Sequence, residues 1–361
     1  MKILHVVQSL RHSGAEMLVR DLAIVHAKQG VEVAVVALQP ADPKFSAEMA
    51  EMEAQGIQVF SPSGRRGRIS RILGVHRACK RFRPDVIFAH SALPAIYGRM
   101  GAWWTGAPVL PVLHAPDDYA NPRLRMIEKF LRHRAYPVVS VAEAAVKNYQ
   151  ERIGDPEPIV IKNGIELSKF EFSLRQRDEG REILALKDEE IAILQLGRIQ
   201  PNNKGQDLSL AACKEMLKQD SRIKLIFVGI VENADFKIKA QLQCEQDGIA
   251  SQVQFTGPLG NVSKLLAGAD LFVMPSHYEA HSVALLEALQ SGIPIVASAI
   301  ESFFPYEAFE GIELVNTNDV RVFREKIINA LGSLQRFRRD LSAFSIEVTA
   351  RKYLDLAQSV R

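Results

Sequence analysis

Cysteine is scarce in this chain of 361 residues, which contains only Cys79, Cys213 and Cys244. The three thiols are far apart and no Cys-x-x-Cys pair occurs, so the spacing typical of a zinc site is lacking. An odd number of cysteines also does not suit a framework of disulfides. This usage is typical of a reducing compartment, and we therefore expect a cytoplasmic protein whose thiols are buried.

Long hydrophobic runs are lacking as well. The apolar run from Ile3 to Val7 ends at a polar stretch, Gln8 to Glu16, which does not fit the hydrophobic core of a signal peptide. No segment approaches the roughly 20 apolar residues that a helix needs to span a bilayer. Any contact with a membrane is therefore predicted to be peripheral.

Motifs of several common enzyme classes are also missing. No Gly-x-Gly-x-x-Gly follows the first predicted strand, which argues against a nicotinamide-dependent enzyme. The chain has neither a Walker phosphate loop nor the Gly-x-Ser-x-Gly element of serine hydrolases. Because short-period repeats and low-complexity tracts do not occur, the sequence also argues against a repeat architecture.

The residues that are present have an ordinary globular composition, with 47% hydrophobic and 24% charged residues. Buried strands and amphipathic helices alternate: Ile3 to Val7 is a predicted strand, Glu16 to Gln29 a helix and Val31 to Leu38 the next strand. That order is the repeating unit of a doubly wound parallel sheet. The alternation resumes at Ile191, and at roughly 100–200 residues per domain the length fits two domains.

We therefore predict an α/β protein of two Rossmann-like domains that face each other across a cleft. The N-terminal domain is predicted to span residues 1–167 and the C-terminal domain residues 168–344, with a helix at 345–361 packing back on the first domain. Residues Ser168 to Lys187 have many charges and few apolar residues, and we interpret them as the link between the domains. Ligands bind beyond the carboxyl ends of such strands, so the cleft is the expected site.

The strongest motif is a pair of glutamates, Glu279 and Glu287, which follow one predicted strand and enter the next helix. The backbone amides of His281 to Val283 lie at the start of that helix, where unpaired N–H groups and the helix dipole favour a diphosphate. Two solvated acids on a surface helix are the alternative interpretation. The surrounding strand and helix, with a Gly292-Ile293-Pro294 strand start, argue against it.

A second motif follows the strand predicted at Ile191 to Leu196 and consists of Gly197, Arg198 and Lys204. A glycine at a strand end lets the backbone approach a ligand closely. An arginine and a lysine on the same loop supply charge-assisted hydrogen bonds to phosphate, the arginine as a fork and the lysine as a point charge. The alternative interpretation is a basic surface loop.

The glutamate pair, together with the Gly292-Ile293-Pro294 strand start, resembles the signature of glycosyltransferase family 4, a large family of retaining enzymes with the GT-B fold. The resemblance extends over nearly the whole chain. It implies that Glu279 contacts the sugar of a nucleotide-sugar donor and that Glu287 holds the ribose hydroxyls. Many relatives carry Gly-Phe-Gly after the first glutamate, where this chain has Ala280-His281-Ser282. The amides that cradle the diphosphate in the family are here those of His281, Ser282 and Val283.

The same resemblance assigns roles to the other motifs. It implies that Arg198 and Lys204 neutralise the leaving diphosphate, next to the backbone at Gly197. His114, at the end of a predicted strand, is similar in position to a family histidine beside the reacting sugar. Gly14 corresponds to the second glycine of a Gly-Gly pair that approaches the donor phosphates or the acceptor.

The resemblance implies the activity of a hexosyltransferase that retains the configuration at the anomeric carbon. The Asp-x-Asp pair with which metal-dependent glycosyltransferases hold a divalent cation does not occur. We therefore expect neither a metal nor another cofactor, since Arg198, Lys204 and a helix terminus can stabilise the negative charge of the phosphates. The expected donor is a UDP-sugar and the acceptor a glycan or a lipid-linked glycan, in the synthesis of cell-surface polysaccharide or lipopolysaccharide.

Two alternatives to a glycosyltransferase stay open at this point. One is a sugar-nucleotide epimerase, which can have the same two-domain fold and converts the donor without an acceptor. The other is a non-catalytic module that binds a nucleotide sugar or a partner. The presence of Arg198, Lys204, Glu279 and Glu287 argues against the second.

Charge is distributed unevenly along the chain. Residues 1–165 carry 22 Lys and Arg against 15 Asp and Glu, whereas the remainder carries 23 against 27. Eight basic residues lie in Arg65 to Arg83 without an acid between them. They form either a solvated helix and loop or a contact with anionic lipid head groups at the inner face of a membrane, which suits a lipid-linked acceptor. Nucleic acid is not an expected partner, because no binding module accompanies this run.

Overall fold

The computed structural model describes residues 1–115, 118–131, 136–154 and 158–361, which fall into two compact units. The first unit contains Met1–Glu166, Ala280–Ser282 and Phe344–Arg361, and the second contains Leu167–Glu279 and Val283–Ala343. The sequence analysis placed the domain boundaries after residues 167 and 344, and the units change after Glu166 and Ala343. The short segment Ala280–Ser282 lies in the first unit, although the sequence prediction gave it to the second.

The first unit is built on a parallel sheet. Its strands are β1 (Lys2–Val7), β2 (Glu32–Ala37), β3 (Gln58–Phe60), β4 (Val86–His90), β5 (Val109–Leu113), β6 (Val139–Ser140) and β7 (Ile159–Val160). Among the described residues they are ordered β3-β2-β1-β4-β5-β6-β7, and every neighbouring pair is parallel. The order reverses between β1 and β4, which is where doubly wound sheets bind their ligands.

Helices follow the strands of this sheet. They are α1 (Gly14–Lys28), α2 (Ser46–Ala54), α3 (Arg68–Phe82), α4 (Ala92–Ala102), α5 (Pro122–Leu131) and α6 (Glu143–Arg152). All five residues of β4 and all five of β5 are buried, as expected for parallel strands whose two faces are both covered.

The second unit repeats the plan. Its strands are β8 (Ile191–Leu196), β9 (Ile223–Val228), β10 (Val253–Gly257), β11 (Leu271–Met274), β12 (Ile295–Ser298) and β13 (Ile312–Val315), and its helices are α7 (Leu174–Ile183), α8 (Pro201–Lys204), α9 (Gln206–Gln219), α10 (Ala234–Gln246), α11 (Val262–Gly268), α12 (Val283–Gln290) and α13 (Val320–Leu331). Within the described chain the parallel order is β10-β9-β8-β11-β12-β13. Two parallel sheets that alternate with helices confirm the predicted α/β class.

The last helix, α14 (Ile346–Ser359), belongs to the first unit and packs on α1. Tyr353 is fully buried there, and its ring contacts Phe88 edge-on with 5.0 Å between centroids. The Nε2 of His26 lies 2.8 Å from the carbonyl oxygen of Ala350. Because a carbonyl only accepts, His26 carries its proton on Nε2 and donates it.

The interpretation of Ser168 to Lys187 as a link between domains is wrong. Leu167–Phe170 forms a short 3₁₀ helix and α7 follows, both within the second unit. Helix α7 packs so closely on α11 that a Cβ at Gly180 would lie 1.9 Å from the carbonyl oxygen of Lys264. Arg181, which is only 6% exposed, donates to the carbonyl oxygen of Glu190 at 2.9 Å.

The three cysteines are free and buried, as predicted. Burial raises the pKa of the Cys79 and Cys213 thiols to about 12 and also raises that of Cys244. No helix of the described residues combines the length and the apolar character that crossing a membrane requires.

Candidate active site

The loop after β8 begins with close backbone contact between two strands. Gly197 has φ 150°, and its N–H donates to the carbonyl oxygen of Val228 at 2.9 Å. A Cβ at Gly229, after β9, would lie 1.9 Å from the carbonyl oxygen of Gly197, so only glycine fits there. On its other side Gly197 lies beside the stem of Lys204, 3.8 Å from where a Cβ of residue 197 would be.

Lys204 is held in place by backbone contacts with the loop after β11. It ends α8, and Gly205 then adopts the left-handed conformation with φ 66°. A Cβ at Gly205 would lie 2.1 Å from the carbonyl oxygen of Pro275. One residue before the lysine, the carbonyl oxygen of Asn203 accepts from the N–H of His277 at 2.8 Å. The two loops are therefore fastened together around Lys204.

This fastening brings together the two sequence motifs of the second unit. The Nζ of Lys204 forms an ion pair with Oε1 of Glu279, and the hydroxyl of Ser276 donates to the same oxygen at 2.8 Å. The two charged side chains are only 15% and 11% exposed. Water therefore screens this pair far less than an ion pair on the surface, and removing either partner would leave a buried charge.

Arg198 lies on the same loop but has a different partner. Its Nη1 is 3.2 Å and 3.1 Å from the two carboxylate oxygens of Glu232, which follows β9. The Arg198 side chain is 38% exposed, so this pair is open to solvent. The carbonyl oxygen of Arg198 accepts from the amide of Gln206 at 2.8 Å, which fixes the loop backbone.

Glu287 lies on α12, whose limits coincide with those of the helix predicted at Val283 to Gln290. Its neighbours Leu286 and Ala288 are fully buried, whereas Glu287 is partly exposed. The N–H of Ser291, the first residue after the helix, donates to the carbonyl oxygen of Glu287 at 3.0 Å. Val283, the first residue of α12, belongs to the second unit like the two glutamates.

The predicted phosphate residues His281 and Ser282 lie in the segment that belongs to the first unit. The carbonyl oxygen of His281 accepts from Nδ2 of Asn163 at 2.7 Å, and its ring lies 5.9 Å from that of Phe344. Burial lowers the pKa of His281 to about 3, so the ring is neutral at neutral pH. Ser282 is buried.

Gly14 begins α1 and is exposed. Ser13, the residue before the helix, hydrogen-bonds through its hydroxyl to the carboxylate of Glu16. Glu16 is only 5% exposed, and Nε of Arg11 lies 3.9 Å from its other oxygen. The first turn of this helix therefore contains a buried carboxylate, that of Glu16.

His114 follows β5 and is held by Asp118 and His90. Oδ2 of Asp118 accepts from the N–H of His114 at 2.7 Å and from that of Ala115 at 3.1 Å. Nε2 of the His114 ring lies 2.8 Å from Nδ1 of His90. Burial lowers the pKa of His114 to about 4 and raises that of Asp118 to about 6, although backbone N–H groups oppose the rise for the aspartate. Residues 116 and 117 lie outside the described part of the chain.

Sequence reasoning missed several partners of the predicted residues. Glu232 and Ser276 contact Arg198 and Glu279, and the loops that carry them follow strands of the same sheet. Glu232 and Ser276 come shortly after the strands predicted at Lys224 to Val228 and Leu271 to Met274, which was a signal that could have been used. Asp118 follows a strand end in the same way.

Two family models match the chain, one after the other. The model for "Glycosyltransferase Family 4" matches residues 12–169, and the model for "Glycosyl transferases group 1" matches residues 176–344. Together they span nearly all of the sequence, and they agree with the resemblance derived from the motifs.

Curated relatives are glycosyltransferases. The chain is 25% identical over 310 residues to the UDP-Gal:alpha-D-GlcNAc-diphosphoundecaprenol alpha-1,3-galactosyltransferase of Escherichia coli, covering 79% of the chain and 78% of that enzyme. It is also 25% identical over 307 residues to the alpha-monoglucosyldiacylglycerol synthase of Streptococcus pneumoniae, covering 79% of the chain and 68% of that enzyme.

Solved structures share the fold. HepE from Anabaena, in complex with UDP and glucose, matches 99% of this chain and 100% of its own with a TM-score of 0.80 and 19% identity. A complex of the same protein with UDP-glucose gives the same values. At this identity the likeness concerns the fold alone, and it confirms the predicted GT-B class.

Proposed function

Because this chain belongs to the glycosyltransferases of group 1 and family 4 and is a hexosyltransferase, we propose that it is a retaining, metal-independent enzyme that uses a UDP-sugar. The observation that carries this proposal is the buried contact between Lys204 and Glu279. It places a cation suited to a phosphate next to a carboxylate suited to sugar hydroxyls, within one unit.

The donor is proposed to bind mainly to the second unit. Glu287 accepts from the ribose hydroxyls, and Glu279 accepts from hydroxyls of the sugar. Arg198 and Lys204 donate to the diphosphate. On donor binding, the diphosphate replaces the solvent-exposed carboxylate of Glu232 as the partner of Arg198. Two fixed cations supply the positive charge that a divalent metal would otherwise bring, and no further cofactor is needed since the donor already carries the activated sugar.

Departure of the diphosphate is the step that these residues accelerate. As the bond between the anomeric carbon and the phosphate oxygen breaks, negative charge grows on that oxygen. Lys204 is already desolvated, so its attraction to the growing charge is stronger than it would be in water. Stabilisation that increases toward the transition state raises the rate, and it does so without tighter binding of the intact donor.

Retention is proposed to follow from attack on the front face. The acceptor hydroxyl bonds to the anomeric carbon on the side that the phosphate leaves, and its proton passes to the departing phosphate oxygen. The product then keeps the donor configuration, and the other product is UDP. A burst of UDP release, or a trapped sugar on a protein side chain, would contradict this route.

The acceptor is proposed to be a lipid-linked glycan in the synthesis of cell-surface polysaccharide or lipopolysaccharide. By its name, the E. coli relative acts on a sugar attached to diphosphoundecaprenol. The S. pneumoniae relative is named as the synthase of a glycolipid. Both of these names describe products or acceptors that contain a lipid.

Helix α3 is proposed to contact the anionic surface in which such an acceptor lies. It carries most of the basic run Arg65 to Arg83, in which six of the eight basic residues are exposed. Ile69 and Leu73, one turn apart, are 73% and 45% exposed, and Trp104 beside the helix is 75% exposed. Basic side chains beside exposed apolar and tryptophan side chains suit the interface of a bilayer, where each Lys or Arg contributes about 1 kcal/mol.

Thermal unfolding with nucleotide sugars tests the donor site. UDP, GDP, ADP and their sugars are compared on the wild type and on Glu287→Gln and Lys204→Met, with the exposed Glu245→Gln and Lys239→Met as matched controls. A UDP-sugar at one hundred times its dissociation constant is expected to stabilise the wild type and both controls by about 2.7 kcal/mol. Stabilisation that is the same in all five proteins would contradict the proposed site.

Vesicle sedimentation tests the surface. The wild type is expected to bind phosphatidylglycerol vesicles and not phosphatidylcholine vesicles, with binding that weakens as salt rises. Arg68→Gln combined with Arg77→Gln is expected to lose about 2 kcal/mol of this binding. The double variant Arg175→Gln, Arg321→Gln removes two exposed arginines of the second unit and serves as the control. Equal loss in both double variants would refute a contact through α3.

A further inference from the structure

Three histidines of the first unit form a continuous chain of hydrogen bonds. His5 lies on β1, His90 ends β4 and His114 follows β5, three neighbouring strands of the sheet. Nδ1 of His5 lies 3.0 Å from Nε2 of His90, and Nδ1 of His90 lies 2.8 Å from Nε2 of His114. The chain therefore runs from the interior of the sheet to the predicted catalytic residue.

All three rings are neutral at neutral pH. Burial is the largest cause, and it lowers the pKa of His5 to about 3 and that of His114 to about 4. Burial likewise lowers the pKa of His90 well below its ordinary value. A neutral imidazole has one nitrogen that donates and one that accepts.

One donor per ring allows only two arrangements of the chain. In the first, His5 donates to His90, and His90 donates to His114, which then carries its proton on Nδ1. In the second, every proton moves to the other nitrogen, and His114 presents Nδ1 as a bare acceptor. The bonds cannot change one at a time, because His90 would then have two donors or none.

The buried end of the chain decides between the two arrangements. Nε2 of His5 is buried, and none of the described residues provides it with a hydrogen-bond partner. The first arrangement leaves a lone pair there, and the second leaves an N–H group. Among backbone groups, a buried N–H without an acceptor is rarer than an under-satisfied carbonyl, and we apply the same preference to the imidazole.

The residues around the chain hold its outer end rigidly. Ser91, next to His90, has φ 75° although it is not a glycine, a conformation that persists only where the surroundings enforce it. Its N–H donates to the carbonyl oxygen of Val112 at 2.8 Å. Asp118 fixes the backbone of His114 from the other side. The histidine contact is thus held on both sides by hydrogen bonds to the backbone.

We propose that His5 and His90 fix His114 as the tautomer protonated on Nδ1, so that it donates a neutral hydrogen bond to an oxygen of the substrate. This inference rests on the proposed function and on the family resemblance, by which His114 corresponds to a histidine beside the reacting sugar. His5 and His90 are positioning residues, since they act through His114. The substrate atom that they select is an acceptor, such as a hydroxyl or phosphate oxygen, and the contact carries no charge.

The experiment records ¹⁵N spectra of histidine-labelled protein without substrate, in the wild type and in two variants of His90. His90→Asn keeps an amide donor near the position of Nδ1. The leucine of His90→Leu has nearly the same shape as asparagine but has no donor. We expect a protonated Nδ1 on His114 in the wild type and in His90→Asn, and a mixture of tautomers in His90→Leu. If His90→Leu does not fold, His5→Asn and His5→Leu form a second matched pair at the buried end.

Sugar transfer is measured in the same proteins. We expect kcat/KM to fall about tenfold in His90→Leu and to be largely kept in His90→Asn, as for the loss of one well-placed hydrogen bond. A wild-type His114 protonated on Nε2, or the same tautomer in both variants, would overturn the inference. Equal kcat/KM in both variants would overturn the contact with substrate. Failure of the proposed function is distinguishable, because wild-type protein would then transfer no sugar while its spectrum still reports the tautomer.

Discussion

Replacing Gly205 by alanine tests whether the position of Lys204 matters, because the substitution moves the lysine and leaves its charge unchanged. Gly205 has φ 66°, and a Cβ there would lie 2.1 Å from the carbonyl oxygen of Pro275. The left-handed conformation alone costs an alanine about 1–2 kcal/mol. Forcing the backbone of the facing loop away costs about 1–3 kcal/mol more, as for other overpacked sites. We therefore expect Gly205→Ala to lower the free energy of unfolding by about 2–5 kcal/mol.

Gly248→Ala is the matched control for this variant. Gly248 also lies in the second unit with φ 74°, but no heavy atom comes within 4 Å of the Cβ that alanine would add. It should lose only the conformational part, about 1–2 kcal/mol. The difference between the two variants therefore measures the contact between the loops after β8 and β11.

The decisive measurements are urea unfolding and the affinity for a UDP-sugar by calorimetry. Moving the two loops apart separates Lys204 from Glu279, and losing a hydrogen bond to a charged group costs about 1.5–3 kcal/mol. Gly205→Ala is therefore expected to bind the donor at least about tenfold more weakly, and Gly248→Ala to bind it like the wild type. Equal losses of stability and affinity in both variants would refute the reasoning.

Three further predictions concern stability and rate. Ser276→Ala removes a donor to Glu279 and should lower kcat/KM about fivefold to tenfold, measured with saturating acceptor; an unchanged value would refute a role for that hydrogen bond. Gly180→Ala should destabilise by about 1–3 kcal/mol because its Cβ meets the backbone at Lys264, whereas Gly74→Ala, whose Cβ meets only the end of the Arg66 side chain, should be neutral or stabilising in thermal unfolding. Burial lowers the pKa of His5 to about 3 and that of His114 to about 4, so below about pH 6.5 these histidines take up protons in the unfolded chain before they do so in the folded one. Each histidine should therefore lower the free energy of unfolding by up to about 1.4 kcal/mol per pH unit as the pH falls. Asp118, whose pKa is raised to about 6, takes up its proton first in the folded chain and so stabilises it as the pH falls from about 6 toward the ordinary pKa of aspartate. Urea unfolding should show a free energy of unfolding that is lower at pH 5 than at pH 7, and this difference should be smaller in His5→Phe.

The parts of the fold that the sequence predicted well have strong apolar patterns with clear ends. The helix predicted at Val283 to Gln290 coincides with α12, and the strands predicted at Ile191 to Leu196 and Leu271 to Met274 coincide with β8 and β11. Helix α12 alternates buried leucines and alanines with Glu287, and Ser291-Gly292 ends it, with Gly292 in the left-handed conformation. The apolar pattern and the residues that end the helix predict the same limits, and tertiary packing does not change them.

Helix α7 shows why the interpretation of Ser168 to Lys187 failed. The residues that α7 buries are Gly180 and Arg181, neither of which counts as apolar in a periodicity test. The glycine is buried because α11 approaches it closely, and the arginine because several backbone carbonyls accept from its guanidinium. Both facts depend on what lies opposite the helix, and the local sequence does not contain them.

The candidate site could be predicted in part for the same reason. Motifs at strand ends identified Lys204 and Glu279 separately, and their contact follows from β8 and β11 being neighbours in the sheet. The histidine chain depends on the order of β1, β4 and β5 and on which face each ring takes. Strand order is set by long-range packing, which no single motif reports.

The buried thiols make this protein ready for site-specific labelling. A thiol whose pKa is raised to about 12, as for Cys79 and Cys213, is almost entirely protonated at neutral pH and reacts slowly with maleimides. Cys244 is buried as well. One cysteine introduced at Ile69, the most exposed apolar side chain of α3, would therefore take up a fluorophore selectively in the otherwise native chain. Its emission would report, in one cuvette, whether that helix enters a lipid environment while sugar transfer proceeds.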